Sequence, residues 1–293
     1  MINTICKIIN FIRNFDLFIS KLDETKIING KILSELKKKN NYESINDYEF
    51  KVFSQFGEDG IIQYLINNLD ISKKKFIEFG VENYEEANTR FLLENDNWSG
   101  LIIDSSKKNI DYIKKQNYYW RYDIKALCAF LEPNNINKII EENHFNGNIG
   151  LLSVDIDGND YWLLKAIDTI SPDIIIMEYN ANFGSEKSLS IKFDKKFQRG
   201  KSGINKLIYG CSLKAAFKLC DQKGYSLVCT NKNGNNAFFV KKILLNEKIK
   251  AIVYEQAFHI NSFKEHLDNK RIPEKLTKKK VMDIQKSDLV IEV

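Results

Sequence analysis

The chain has 293 residues, 43% of them hydrophobic, which suffices for one large domain with a sizeable core or for a domain with additions. Its 44 basic residues face 39 acidic ones, and the formal net charge of +5 is too small to argue for nucleic acid as a partner. The five cysteines (Cys6, Cys128, Cys211, Cys220, Cys229) are odd in number and lack C-x-x-C spacing, which argues against a disulfide framework or a thiolate zinc site and points to a reducing, cytoplasmic setting.

The N-terminus carries apolar residues at Ile5, Ile8, Ile9, Ile12, Phe15, Phe18, Ile19 and Leu22. Lys7, Arg13, Asp16 and Lys21 interrupt them, so neither a signal peptide nor a spanning helix fits. The pattern predicts an amphipathic helix that packs on its own domain or on a twin subunit in a homo-oligomer, with peripheral membrane contact as the alternative. A polar break at Lys37-Lys-Lys-Asn-Asn41 ends this preface. The expected organisation is an N-terminal helical extension (1–45), an α/β domain (46–245), and a helical appendage with a charged tail (246–293).

Ser54, Gln55, Glu58 and Asp59 then precede a helix with apolar residues at Ile61, Ile62, Leu65, Ile66 and Leu69. So polar a group reads either as a flap over a cofactor or as ordinary helix capping. Lys75–Ser105 follows as strand, glycine turn, helix and strand, with Glu78 in the first strand, Gly80 at its end, and Asp104 closing the second. An acid so placed accepts hydrogen bonds from ribose hydroxyls in nucleotide-binding sheets. The turn lacks G-x-G-x-x-G, and Glu78, Glu82, Glu85 and Glu86 stand where a dinucleotide would put its phosphates. A phosphate-free, cationic adenosine ligand such as S-adenosylmethionine fits that charge, while the plain alternative is a structural βαβ unit.

A lysine-rich helix at Lys107–Lys115 leads to Tyr118–Tyr122, the expected third strand, with Asp123 at its end, where in a methyltransferase-like sheet an acid would sit near the adenine amino group. Leu127–His144 reads as helical with a break at Pro133. Ile149–Asp155 and Asp173–Met177 are near-continuous apolar runs, the pattern of strands buried on both faces. They end in Asp155-Ile-Asp157-Gly-Asn-Asp160 and Glu178-Tyr-Asn180, so both acid groups should lie at carboxyl ends of parallel strands, where open α/β sheets bind ligands.

From Gly184 to Asn205 the chain turns polar and basic without periodicity, carrying Lys192, Lys195, Lys196, Arg199 and Lys201. A loop this long reads as a lid or binding loop, either meeting an anionic acceptor or presenting a solvated face. A helix over Tyr209–Lys223 precedes strands at Tyr225–Thr230 and Asn236–Lys241, joined by Asn231-Lys-Asn-Gly-Asn235. A doubly wound, mostly parallel seven-stranded sheet ending in an antiparallel hairpin is the strand plan of class I methyltransferases.

Taken as a set, these segments resemble the FkbM-like family of S-adenosylmethionine-dependent methyltransferases over about residues 50–242. The residues that carry the likeness are Ser54-Gln55-Phe-Gly-Glu58-Asp59, Ile77-Glu78-Phe-Gly80, Asn88-Thr89-Arg-Phe-Leu, Trp98–Asp104, Leu152–Trp162, Glu178-Tyr-Asn180 and Gly210–Ala215. The glycine-poor first turn and the appended ends depart from the pattern. The resemblance implies O-methylation of sugars or related small metabolites, often for surface polysaccharides or natural products. It implies cofactor contacts at Ser54, Gln55, Glu58, Glu78, Gly80, Asn88, Thr89, Asp104, Asp123 and Asp155.

Methyl transfer to a hydroxyl needs alignment and removal of a proton by a base or by a metal that lowers the hydroxyl pKa. Asp155, Asp157, Glu178 and Asn180 are hard oxygen ligands suited to Mg2+ or calcium, and the set looks like that of the metal-dependent small-molecule O-methyltransferases. Without metal, Asp155 would face the cofactor's ammonium, and Asp157 or Glu178 would be the base, with His259 third. Two rival readings remain at this level. Asp155-Ile-Asp157 is also the D-x-D of a metal-dependent glycosyltransferase, and the missing glycines suit a non-catalytic scaffold.

Overall fold

The computed structural model describes residues 21–199, 206–261 and 277–293. The strands, in chain order, are β1 (Lys75–Phe79), β2 (Ser99–Asp104), β3 (Ile124–Cys128), β4 (Gly147–Val154), β5 (Ile170–Glu178), β6 (Leu189–Ile191), β7 (Tyr225–Thr230), β8 (Asn236–Lys241) and β9 (Val290–Glu292). The central sheet has seven of them in the order β3-β2-β1-β4-β5-β8-β7. Pairings from β3 through β5 are parallel, and β8 runs antiparallel to both β5 and β7. This is the methyltransferase-like, Rossmann-type sheet with its terminal hairpin, as expected.

The sheet forms because successive side chains alternate between two buried faces. Ile77, Leu101, Leu152 and Ile175 enter one apolar cluster, while Phe76, Ile102, Leu151 and Ile176 enter the other. Strands covered on both faces read as continuous apolar runs, which made β4 and β5 legible.

The helices are α1 (21–38), α2 (Glu58–Asn68), α3 (Arg90–Asp96), α4 (Lys107–Ile113), α5 (Asn117–Arg121), α6 (Ile136–Glu142), α7 (Asp160–Ala166), α8 (Leu213–Gln222), α9 (Tyr254–Ala257) and α10 (Lys278–Gln285). None of the described helices is long and apolar enough to cross a membrane. Over its described part, α1 lies on the domain. Arg90 stacks on Phe53 at 4.0 Å and Tyr118 at 4.7 Å, and pairs with Asp23 of α1 and with Glu94, each at 2.7 Å. The apolar positions from Ile5 to Ile19 lie outside the described residues.

Three expectations need correction. Tyr118–Tyr122 is not a strand: it lies mainly in α5, which buries Tyr118 and leaves Trp120 72% exposed. Its aromatic composition favours strands, but the place beside β2 belongs to Ile124–Cys128, in register from Gly100↔Ile124 to Asp104↔Cys128. Asp123 therefore enters β3 rather than leaving it, and its carbonyl accepts from Gly100 N (2.9 Å) at the amino edge of the sheet, away from the carboxyl-edge acids. Leu127–His144 is likewise not one broken helix, since Leu127 and Cys128 finish β3 and α6 starts only at Ile136.

The basic loop also contains an element that local pattern did not show. β6 pairs antiparallel with β9, and Ile284 of α10 packs with Phe183, Leu189, Ile191, Leu207 and Ile208. The charged tail thus returns to the body of the protein. Lys201, Asn205 and His266 lie outside the described residues.

Candidate active site

The turn after β1 follows an unusual path. Gly80, Glu82 and Tyr84 have φ of +73°, +47° and +63°. Left-handed backbone is costly for Glu and Tyr, so packing must hold the turn in place. Tyr84 is fully buried, and its hydroxyl shares a 2.9 Å hydrogen bond with Thr89 Oγ1. Gly80 passes so close to β4's exit that an added Cβ would lie 1.6 Å from the Asp155 carbonyl oxygen.

This approach brings the ends of β1 and β4 around a cavity of about 320 Å³. Gly80, Asp104 and Asp155 line it, together with Glu82, Asp157 and Phe130. Asp104 Oδ2 accepts from Glu82 N (2.9 Å), and Oδ1 accepts from Ser106 N (2.7 Å) and Asn109 Nδ2 (3.4 Å). The acid predicted to close β2 therefore sits on the cavity wall, oriented by the loops on either side. Phe130 and Asn109 were not singled out in the sequence. Phe130 carried no signal because β3 was placed too early.

Glu78 is not among the residues lining this cavity. It is buried, with Oε1 accepting from Asn88 N (2.9 Å) and Ser153 Oγ (3.4 Å), and Oε2 accepting from Thr89 N (3.1 Å) and Thr89 Oγ1. Burial raises its pKa against those donors. Glu78, Asn88 and Thr89 therefore form one buried unit that fixes the start of α3.

Ser54, Gln55, Glu58 and Asp59 form a second unit. Asp59 Oδ2 accepts from the backbone N of Val52, Phe53 and Ser54 and from Ser54 Oγ, at 2.7–2.8 Å. Burial nevertheless pushes its pKa up to about 6. Glu58 Oε1 accepts from Asn231 Nδ2 (2.6 Å) and Asn236 Nδ2 (3.0 Å), and Gln55 Oε1 accepts from Asn235 Nδ2 (3.1 Å). The segment is fastened to the β7–β8 hairpin, and Phe53 O accepts from Ala87 N (3.0 Å) beside the β1 turn.

The third unit lies at the ends of β4 and β5. Asp155, Asp157 and Glu178 present carboxylate oxygens that all lie within 4.8 Å of one another. Asp160 shapes the loop between them, accepting from Ile156 N (2.7 Å) and Gly158 N (2.9 Å), and burial pushes its pKa up to about 6. Burial, with Asp157 and Asp160 nearby, raises Asp155 well above the carboxylate range. Burial, with Asp155 nearby, does the same to Glu178. Two buried carboxyls this close together oppose each other's ionisation.

A cation from the basic loop reaches this cluster. Arg199 pairs with Asp157, lies 3.8 Å from Glu178 Oε1, and stacks 3.4 Å from the centre of the Tyr209 ring. Burial opposes its charge, but Tyr209, Glu178 and Asp157 outweigh that and raise its pKa. The described part of the loop makes two further contacts: Phe197 lines the cavity against Gly158, and Lys195 pairs with Glu132 at 3.1 Å.

The side chain of Asn180 is engaged by backbone groups. Its Nδ2 donates to Leu207 O (2.8 Å) and Tyr209 O (3.0 Å), and its Oδ1 accepts from Asn182 N (3.0 Å). The amide fixes the backbone beneath Tyr209, on which Arg199 rests. His259 lies beyond the hairpin, with Nδ1 2.9 Å from Thr230 Oγ1 and 3.0 Å from Ala257 O.

No protein-family profile matches the chain, and no curated protein matches it. Among solved structures, the chain is similar to the N-terminal domain of EvdMO1 with SAH bound, at 11% identity over 73% of this chain and 93% of that one, with a TM-score of 0.41. An O-methyltransferase from Bacillus cereus in complex with SAH matches at 12% identity over 73% and 89%, with a TM-score of 0.40. An S-adenosylmethionine-dependent methyltransferase from Clostridium acetobutylicum ATCC 824 matches at 9% identity over 70% and 94%, with a TM-score of 0.39.

Proposed function

We propose that this chain is an S-adenosylmethionine-dependent O-methyltransferase of FkbM-like type. It acts on a hydroxyl of a sugar, nucleotide-sugar or related small metabolite, in cytoplasmic steps of surface-polysaccharide or natural-product synthesis. One observation carries the reading: among the described residues, the cavity at the carboxyl ends of β1 to β4 is lined by Glu82, Asp104, Asp155 and Asp157 and by no lysine or arginine. A pyrophosphate would meet Glu82, Asp104 and Asp155 there, with Asp157 paired to Arg199, whereas a sulfonium and an ammonium would be stabilised. Residues 46–245 form the methyltransferase domain in this reading, with 1–45 and 246–293 as additions.

In this site Asp104 takes the ribose hydroxyls, Phe130 offers an aromatic face to the adenine, and Asp155 faces the ammonium. The acceptor oxygen attacks the methyl carbon in line. The donor, when bound, would release its methyl group and keep the carbon–sulfur electron pair as a neutral thioether, while the hydroxyl proton would pass to Glu178 or Asp157. Arg199 sets the charge of that pair.

The same donors fit a hard divalent cation, because Glu178 Oε2 is buried without a hydrogen-bond partner beside two further carboxylates. Asp155, Asp157 and Glu178 would hold it, with Asn180 supporting the backbone behind them. Bound there, Mg2+ would lower the pKa of the acceptor hydroxyl.

Thermal-shift titration tests the reading against the D-x-D glycosyltransferase: S-adenosylhomocysteine should stabilise the protein, and UDP or GDP with manganese should not. Stabilisation by the nucleotide alone would overturn it. Mass spectrometry for the gain of one methyl group across nucleotide-sugars, sugar phosphates and glycan fragments would then identify the acceptor.

A further inference from the structure

A second and larger cavity, about 810 Å³, lies outside the acid-lined site and shares no lining residue with it. Its walls are the end of α1, the 39–50 segment, α2, the end of β7 and the 246–259 segment. Most of it is therefore built from what flanks the central sheet.

Its chemistry is the reverse of the first cavity. Lys37, Lys38, Lys248 and Lys250 line it against Glu43 and Glu247. Lys37 Nζ donates to the Asp47 carbonyl and Lys248 Nζ to Asn68 Oδ1 (3.0 Å). Among the described residues, neither these two nor Lys250 has a carboxylate within salt-bridge distance. Lys37 also lies over the Tyr42 ring, 5.3 Å from its centre, while Lys248 and Lys250 present exposed charge to a ligand.

Aromatic rings stand between these lysines. Tyr48 is buried, packing edge-on against Tyr42 at 5.1 Å and tilted against Tyr64 at 4.1 Å. Tyr42, 41% exposed, and the half-buried Tyr64 are thus held by a buried ring between them. The side chains of Asn41 and Gln256 add amide donors and acceptors at the walls. Aromatic faces suit the C–H faces of sugar rings, amides suit hydroxyls, and unneutralised ammonium groups suit carboxylates or phosphates on the same chain.

The cavity also touches the carboxyl edge of the sheet. Thr230, the last residue of β7, and His259 line its end, and His259 O accepts from the hydroxyl of Tyr179, the neighbour of Glu178, at 3.0 Å. From these observations we infer that the groove binds an acidic oligosaccharide, part of the chain whose terminal hydroxyl is methylated. This rests on the methyltransferase reading for its purpose but not for its chemistry.

Isothermal titration of the full chain with a hexameric oligogalacturonate, and with maltohexaose as a neutral control, tests it. The acidic hexamer should bind, weaken as salt is raised, and weaken by about tenfold in a Lys248→Ala/Lys250→Ala variant. Tyr42→Ala should weaken both the acidic hexamer and any residual neutral binding. S-adenosylhomocysteine affinity, measured on the same preparations, should not change and also reports that each variant is folded. Absence of oligogalacturonate binding with normal S-adenosylhomocysteine binding would overturn the groove alone. Binding indifferent to the lysine variant, or equal binding of maltohexaose, would overturn it too. Oligogalacturonate binding without S-adenosylhomocysteine binding would leave the groove standing and remove the methyltransferase reading.

Discussion

Arg199 reaches across from the basic loop to lie 3.8 Å from Glu178 Oε1, while the other oxygen of Glu178, Oε2, is buried with no hydrogen-bond partner. One oxygen thus faces a cation and the other is left for a proton or a ligand. Arg199→Ala should leave the acid cluster without that counter-charge and raise its proton affinity further. The pH–rate profile should then shift to higher pH, with partial recovery in Arg199→Lys. An unshifted profile would remove Arg199 from the proton chemistry.

Glu178→Gln keeps the shape but cannot accept a proton. Turnover on the true acceptor should fall by roughly 10²–10⁴-fold, the usual range for loss of a general base. S-adenosylhomocysteine affinity should change little. Single-turnover rates and calorimetric affinities separate the two effects.

The raised pKa values of Asp155 and Glu178 set a direction for stability. Between the ordinary carboxylate range and its raised folded value, the folded protein binds more protons than the unfolded chain. Stability from this pair is complete below the ordinary range and is lost as pH rises through the folded values. The pair's contribution to Tm should therefore decline with rising pH, and Glu178→Gln should flatten that decline. A wild-type minus Glu178→Gln difference in Tm that did not vary with pH would contradict the raised proton affinity of this buried pair.

Asp104→Ala removes an acceptor from the cavity wall. Charge-assisted hydrogen bonds to the ribose hydroxyls would be lost, each contributing roughly 1.5–3 kcal/mol. S-adenosylhomocysteine binding should weaken by about tenfold or more, and Tm of the unliganded protein should also fall, because Glu82 N and Ser106 N lose their acceptor. Calorimetric titration beside a melting curve reads both.

Gly80→Ala tests the close approach of β1 to β4. The φ of +73° disfavours any side chain, and the new Cβ would sit 1.6 Å from the Asp155 carbonyl oxygen, so backbone must move. Both Tm and cofactor affinity should fall, because the displaced backbone carries Asp155. Retention of both would mean that the two strand ends are further apart than described.

Much of the sheet was readable in advance for one reason: burial on both faces writes a continuous apolar run. Ile149–Val154 and Asp173–Met177 carry that run, and the Asn-Gly hairpin carries its own turn chemistry. Tyr118–Tyr122 misled because aromatic residues satisfy a strand and a one-sided helix equally well in local pattern. β6 and β9 were missed because each is three residues long and each exists through the other, across about a hundred residues of chain.

The sequence by itself determined that acids would end parallel strands, since strand length and polarity are local properties, and it thereby placed Gly80, Asp104 and Asp155 in advance. Only the tertiary structure decided which acids face open space and which are bound into the frame. Glu78 and Asp59 are bound by backbone N–H groups, Glu58 by side-chain amides of the hairpin as well, and Glu178 is left with a buried, unpaired oxygen. It also brought Arg199 to Asp157 across 42 positions of sequence. The physical reason is that a carboxylate's role depends on the donors and charges that surround it in space, and those come from segments whose meeting no local pattern encodes.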